Sequence, residues 1–388
     1  MTADEARAII DAARPCREVM DPVVYDRALR AANHEEPDRV PIWDYIDSWD
    51  LFQELAPGLD DPVQATAQVY NALEIDFARS INWPRPPEAE GEEAEGDTWA
   101  RKTSGRTVWV TKYPINDVDE LKRYVAALPA PPTPEDCLPT VATMAQYRDI
   151  FAPQTFYVPG HGVGFHGAYG TMSMDLFALM LYDAPHEIRM LIEHLNAGAV
   201  AHCRAYAEAN LSPFFFIGDD IAYKHKLMFS PTTLRELFFP YLARMCEVLN
   251  GAGIQVIFHS DGDITSLLPD LIEAGVAGIN PLETMAGMDI AFVKREYGRD
   301  LILVGGPVWW YTVATPVMSF LKQADFAGKK VSAFCTHEGG IGKYFPHFKE
   351  QARNAVVLEG LDLYKPKQAD KGEVDKALDL WLGKLRGK

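Results

Sequence analysis

The apolar run in QVIFHSDGDI, Gln255 to Ile264, ends in His259, Ser260, Asp261 and Asp263. A core strand that finishes in several polar side chains opens onto a cavity rather than into packed interior. His259 and Asp261 stand at i and i+2, so on a strand they project to the same side and can share a ligand. Both are zinc-ligand types. Zinc takes imidazole, carboxylate and thiolate in tetrahedral geometry, and catalytic sites keep one position open. Cys335, at the end of a later apolar run in VSAFCTHEGG, offers the thiolate. The plainer alternative is a hydrogen-bonded strand-end histidine and a small core cysteine, and no paired CxxC spacing decides between them.

Other strand-end residues join the candidates. Asp47, Asn82 and Arg85 come early, and His161 and His166 lie in GHGVGFHG. Asp219 and Asp220 close FFFIGDD; adjacent residues on a strand point opposite ways, so one of the two is expected to face the cavity. Asn280 and Glu283 follow AGI, and His337 and Glu338 follow Cys335. The glycine-rich GHGVGFHG has no Lys or Ser/Thr in phosphate-loop spacing, which argues against a phosphate cradle. VWWY, Val308 to Tyr311, can wall an apolar or cationic ligand by stacking, or simply pack. His186, His194 and His202 lie on one long helical stretch, where packing and surface duties are the ordinary reading.

The elements needed to position these residues are legible as alternating strands and helices. Short apolar runs (39–46, 74–83, 155–160, 214–220, 255–263, 277–283, 301–306 and 331–340) alternate with helical stretches and end in polar or glycine-rich residues, the pattern of repeated βα units. Eight such units predict a single (β/α)8 TIM barrel spanning 37–388, with a helical N-terminal extension over 1–36 and active-site residues at the C-terminal ends of the strands. TWARKTSGRTVWVTKYP reads as a hairpin insertion, and the acid run PEAEGEEAEGD before it as a solvated loop. A doubly wound open sheet would show the same alternation and is the competing architecture.

A hydrophobic content of 48% over 388 residues allows a sizeable core, and a formal charge of -18 argues against a nucleic-acid partner. The first twenty residues resemble neither a secretory signal nor a transit peptide, and no stretch approaches the roughly 18 apolar residues of a membrane span. Five widely spaced cysteines fit reduced thiols better than a disulfide framework. A soluble cytoplasmic protein is expected.

At FHSDGDITSLLPDLIEAGVAGINPLE, joined by PDRVPIWDY and GDDIAYKHKLMFSP, the chain resembles the uroporphyrinogen decarboxylase superfamily, over about residues 37 to 364. The resemblance implies a single (β/α)8 barrel and one of two activities: porphyrinogen decarboxylation, or cobalamin- or folate-linked methyl transfer, in some members with zinc. The decarboxylases are metal-free and hold their polycarboxylate substrate with arginines after strand one and an aspartate after strand two. Here Asp44 and Asp47 stand at the first place, and Asn82, followed by Arg85, near the second. Acids there repel a polycarboxylate. The methyltransferase branch binds zinc with a histidine after strand five, commonly a cysteine two residues on, and a cysteine near the last strand. His259 and Cys335 match; Asp261 replaces the middle cysteine, with Glu283 as the reserve ligand.

That resemblance implies a zinc-dependent methyltransferase moving a methyl group from an aryl ether, amine or thiol to a corrinoid or tetrahydrofolate. Asp220, Glu283 and His337 would handle protons; Asp47, His161, His166, Trp309, Trp310 and Tyr311 would contact substrate. The chain has no DxHxxG cobalamin motif, so a separate corrinoid protein is the expected partner, and a homodimer is a further expectation. The alternatives are a metal-free decarboxylase and a non-catalytic ligand-binding barrel.

Overall fold

The computed structural model describes residues 1–81, 84, 92–95, 100–104, 107–298, 302–303, 330–337, 343–352, 354–364, 376–377, 380–381 and 384. They form two compact units, Met1–Val304 and Gly305–Lys388.

The first unit is built on parallel strands that neighbour one another in chain order. Trp43 bridges Phe77, and Phe77–Ala78 pairs with Phe156–Tyr157. After a short break the same segment continues as Gly160–His161, which pairs with Phe214–Gly218. That strand pairs with Gln255–His259, then come Gly278–Asn280 and Ile302–Leu303. Side chains alternate between two buried faces. Phe214 and Phe216 join Trp43, Phe77, Phe156 and Ile257 on one face, capped by Val24 and Ala28 of the helix Pro22–Ala32. Phe215, Ile217, Val256 and Phe258 face the outer helices Pro134–Phe151, Pro185–Ala209 and Phe239–Gly251. Strands buried on both faces explain why these runs are apolar throughout rather than alternating. His259 follows Ile257 by two and so belongs to the inner face.

The parallel α/β class agrees with the sequence reading; a closed barrel is not traced among the described residues. Three helices occupy Ala3–Ala12, Cys16–Val19 and Pro22–Ala32, the last opened by Asp21, whose carboxylate accepts from the Val23 and Val24 N–H groups. The insertion is an antiparallel sheet of Glu92–Glu95, Ala100–Ser104 and Thr107–Lys112. Part of the acid run is thus a strand, not a loop. Its register sets Glu93 across from Lys102.

In the second unit, Lys330–Val331 pairs in parallel with Val356–Val357, and Phe334–His337 with Leu361–Tyr364. The helix Tyr344–Gln351 connects them and contributes Phe348 to a small core with Ala333 and Ala352. The division after Val304 falls inside the span expected as one barrel. No helix among the described residues is long and apolar enough to cross a membrane.

Candidate metal centre

Asp220, His259 and Asp261 each offer one ligand atom, and the three atoms lie within 4.8 Å of one another. His259 Nε2 is 3.8 Å from Asp220 Oδ1 and 3.9 Å from Asp261 Oδ1. The neighbouring strand ends hold them there. Phe214–Gly218 and Gln255–His259 run in register with Gly218 beside His259, so the two residues after Gly218 reach the end of the histidine strand. Asp220 Oδ1 accepts the Asp261 N–H at 3.0 Å, fixing the two carboxylates relative to each other. On the other side Asn280, in register with His259, places its Oδ1 3.1 Å from His259 Nδ1. With Nδ1–H donating to that amide oxygen, Nε2 is left as the lone pair facing the carboxylates.

Burial, helped by the nearby Arg79 cation, holds the His259 imidazole below its ordinary range, while Asp220 and Asp261 oppose the shift. A neutral imidazole is the form that ligates metal. The carboxylates are more open: the Asp220 side chain is 35% exposed and that of Asp261 62%. One nitrogen and two oxygens in this arrangement suit zinc, with room for a further ligand.

The loop after His259 is built around Gly262, whose φ of 86° is left-handed and where a Cβ would lie 2.7 Å from the backbone of Ala222 and Tyr223. Its N–H donates to Glu283 Oε2 at 2.5 Å. Glu283, expected as the reserve ligand, therefore braces this loop, and the group of Asp220, His259 and Asp261 does not include it. Asp263 accepts the Thr265 N–H in a local turn.

Of the adjacent aspartates, only Asp220 faces this group. Asp219 is buried and its Oδ2 accepts the Phe165 and His166 N–H groups at 3.0 and 3.1 Å. Burial pushes its carboxyl up to about 7 against the pull of those donors. Asp219 thereby latches the GHGVGFHG loop beside Asp220, His259 and Asp261. On that loop His166 stacks on Tyr169 with ring centroids 4.6 Å apart, and the Tyr169 hydroxyl donates to the Asp220 carbonyl. His161 is exposed at its strand end, with its ring 5.1 Å from that of His202. Asp47 is half-buried just ahead of the helix Trp49–Leu55.

His202, read from the sequence as an ordinary helix histidine, is buried, and its Nε2 meets no hydrogen-bond partner among the described residues. Burial, then His161, pushes its pKa from 6.5 down to about 4. A depressed value means that the unfolded chain takes up this proton first as pH falls. The associated stability is complete above about pH 6.5 and is lost between there and about pH 4, a loss of roughly 3 kcal/mol. Urea denaturation at pH 7.5 and 4.5 should show wild type losing about that much more than His202→Gln; equal losses would refute it.

Cys335 is buried in the strand Phe334–His337 of the second unit, with Asp362 opposite in register. The His337 side chain, Trp309, Trp310, Tyr311, Asn82 and Arg85 lie outside the described residues. One residue the sequence reading passed over is Arg79, which ends the strand in DFARSIN; a cation directly after an apolar strand was the available signal.

The family model for uroporphyrinogen decarboxylase (URO-D) matches residues 111–306, half of the chain. The chain belongs to the uroporphyrinogen decarboxylase family. Among solved structures, this family member is similar to a methyltransferase from Methanosarcina mazei, at 15% identity and a TM-score of 0.52, over 92% of this chain and 99% of that one. At that identity the likeness speaks for the fold. A second model, flavodoxin, matches residues 286–378, overlapping the end of the URO-D match and running through most of the second unit. No curated protein matches the chain.

Proposed function

We propose that this URO-D family member is a zinc-dependent methyltransferase that moves a methyl group from a small methylated compound (aryl ether, amine or thiol) to a corrinoid or tetrahydrofolate acceptor. The observation that carries the reading is the convergence of Asp220, His259 and Asp261 at adjacent strand ends. The chain-order run of parallel strands supports a (β/α)8 barrel, in which strand ends are where chemistry is placed. The similarity to a methyltransferase structure supports the choice of branch.

The three protein ligands in this proposal all come from the first unit, whereas the thiolate expected from Cys335 belongs to the second. When bound, zinc supplies a Lewis acid for the heteroatom that carries the methyl group. His259 Nε2, in the tautomer set by Asn280, and the carboxylates of Asp220 and Asp261 would hold the metal, the carboxylates offsetting its charge. Glu283 fixes the loop through Gly262 and so keeps Asp261 in place. A separate corrinoid protein, a homodimer and a cytoplasmic setting complete the proposal; the buried thiols of Cys16, Cys137, Cys203 and Cys246 support a reducing compartment.

The test is elemental analysis and turnover on the full chain. About one zinc per chain is expected after reconstitution, with formation of methylcobalamin from cob(I)alamin and a methylated donor, abolished by chelator and restored by zinc. A protein that takes up no zinc and releases CO2 from a small acid would instead be the metal-free decarboxylase.

A further inference from the structure

Among the described residues at the base of the inner face, Arg27 and Arg39 are ion-paired and Arg79 is not. Arg27 and Arg39 are bound to Asp76, and Arg27 also to Asp38. Arg79 has only aromatic neighbours among the described residues, with its Cζ 4.9 Å from the Phe216 ring centroid and 6.0 Å from that of Tyr45. It is half-buried, directly after the strand Phe77–Ala78. Phe216 is also 5.4 Å, centroid to centroid, from His259, so one ring touches both the guanidinium and the proposed metal ligand. Gly160 permits this, since a Cβ there would lie 2.9 Å from the Phe216 ring.

We infer that Arg79 is the anchor for a carboxylate on the substrate, and that the methyl donor is a small organic acid whose carboxylate pairs with Arg79 while its methylated heteroatom points toward Asp220, His259 and Asp261. Only the far end of that substrate rests on the methyl-transfer reading. An unpaired, partly desolvated guanidinium is out of place unless an anion completes it, because its planar donors match a carboxylate two at a time. The aromatic rings hold the cation in place through its faces and leave its N–H edge for the ligand. The neighbouring acids, Asp220 and Asp261, would repel the same carboxylate beside His259. Among the described residues they leave Arg79 as the favourable place for it, and so set the orientation of the bound acid.

The test compares 4-methoxybenzoate with the neutral 4-methoxybenzyl alcohol by titration calorimetry on the full chain, with and without zinc. Wild type should bind the acid at least about tenfold more tightly than the alcohol, in both metal states. Arg79→Gln should lose that preference with alcohol binding unchanged, and Arg79→Lys should keep part of it. Equal binding of acid and alcohol, no binding of either, or a preference that survives Arg79→Gln would overturn the inference. If Arg79→Gln fails to fold, the wild-type preference and Arg79→Lys decide it. The metal-free measurement separates the two readings: a preference there without zinc uptake sustains the anion anchor while the metal site falls.

Discussion

His259→Ala should abolish stoichiometric zinc binding, weakening affinity by at least about a hundredfold, beyond the 10- to 100-fold typical of losing a supporting partner. The imidazole is the only nitrogen in the group, and its removal leaves two carboxylates 62% and 35% exposed, which water hydrates well without a metal. Asp220→Asn should weaken binding in the same direction and also disturb Asp261, whose N–H it accepts at 3.0 Å. Asn280→Ala removes the partner that fixes the His259 tautomer and should cost about tenfold or more. Cys335→Ser should keep its zinc. Metal titration of the four purified variants, with circular dichroism to confirm folding, checks the set. Zinc lost from Cys335→Ser but retained by Asp220→Asn would return the thiolate to the site.

Much of this centre was legible in HSDGD. The i, i+2 spacing of His259 and Asp261 predicts a shared side, and their ligand atoms are 3.9 Å apart. GDD likewise predicts that one aspartate faces the cavity. Which one, and as what, was not legible, because it depends on a neighbouring strand: Asp220 reaches His259 through the register of Gly218 with His259, and Asp219 turns to a loop more than fifty residues earlier. Carboxylates at strand ends look alike in sequence; what Glu283 does here, accepting the Gly262 N–H through Oε2, depends on a loop that the sequence does not place.

The second unit shows what periodicity leaves open. VSAFCTHEGG has the apolar run and polar end of a barrel strand, and both a barrel and a doubly wound sheet are made of such strands. What distinguishes them is the partner each strand takes, and partners are long-range. Phe334–His337 takes Leu361–Tyr364. The URO-D match ends at residue 306 and the flavodoxin match extends to 378, in line with the division after Val304. Cys335 matches a family position by its type and its place in an apolar run, and its strand belongs to the second unit.

Asp76→Ala should be the most destabilising single change at the base of the site, by about 3–5 kcal/mol, the range for removing one member of a buried ion pair. Asp76 is 1% exposed. Its Oδ1 accepts from Arg27 Nη1 at 2.7 Å and its Oδ2 from Arg39 Nη1 and the Ile42 N–H at 2.6 Å. Alanine leaves the buried Arg27 with Asp38 alone, a partner half exposed to water, and frees the backbone that precedes Trp43. The PDRVPIW motif is thereby tied to the strand Phe77–Ala78 through one carboxylate, and Tyr45, which flanks Arg79, hangs from the same segment. Arg39→Ala should cost less, about 1–2 kcal/mol, because that side chain is 32% exposed and water replaces part of what it loses. Urea denaturation of the two variants, followed by tryptophan fluorescence, measures both losses. An Asp76→Ala protein within 1 kcal/mol of wild type, or Arg39→Ala as damaging as Asp76→Ala, would show that the buried carboxylate does not hold the first strand in place.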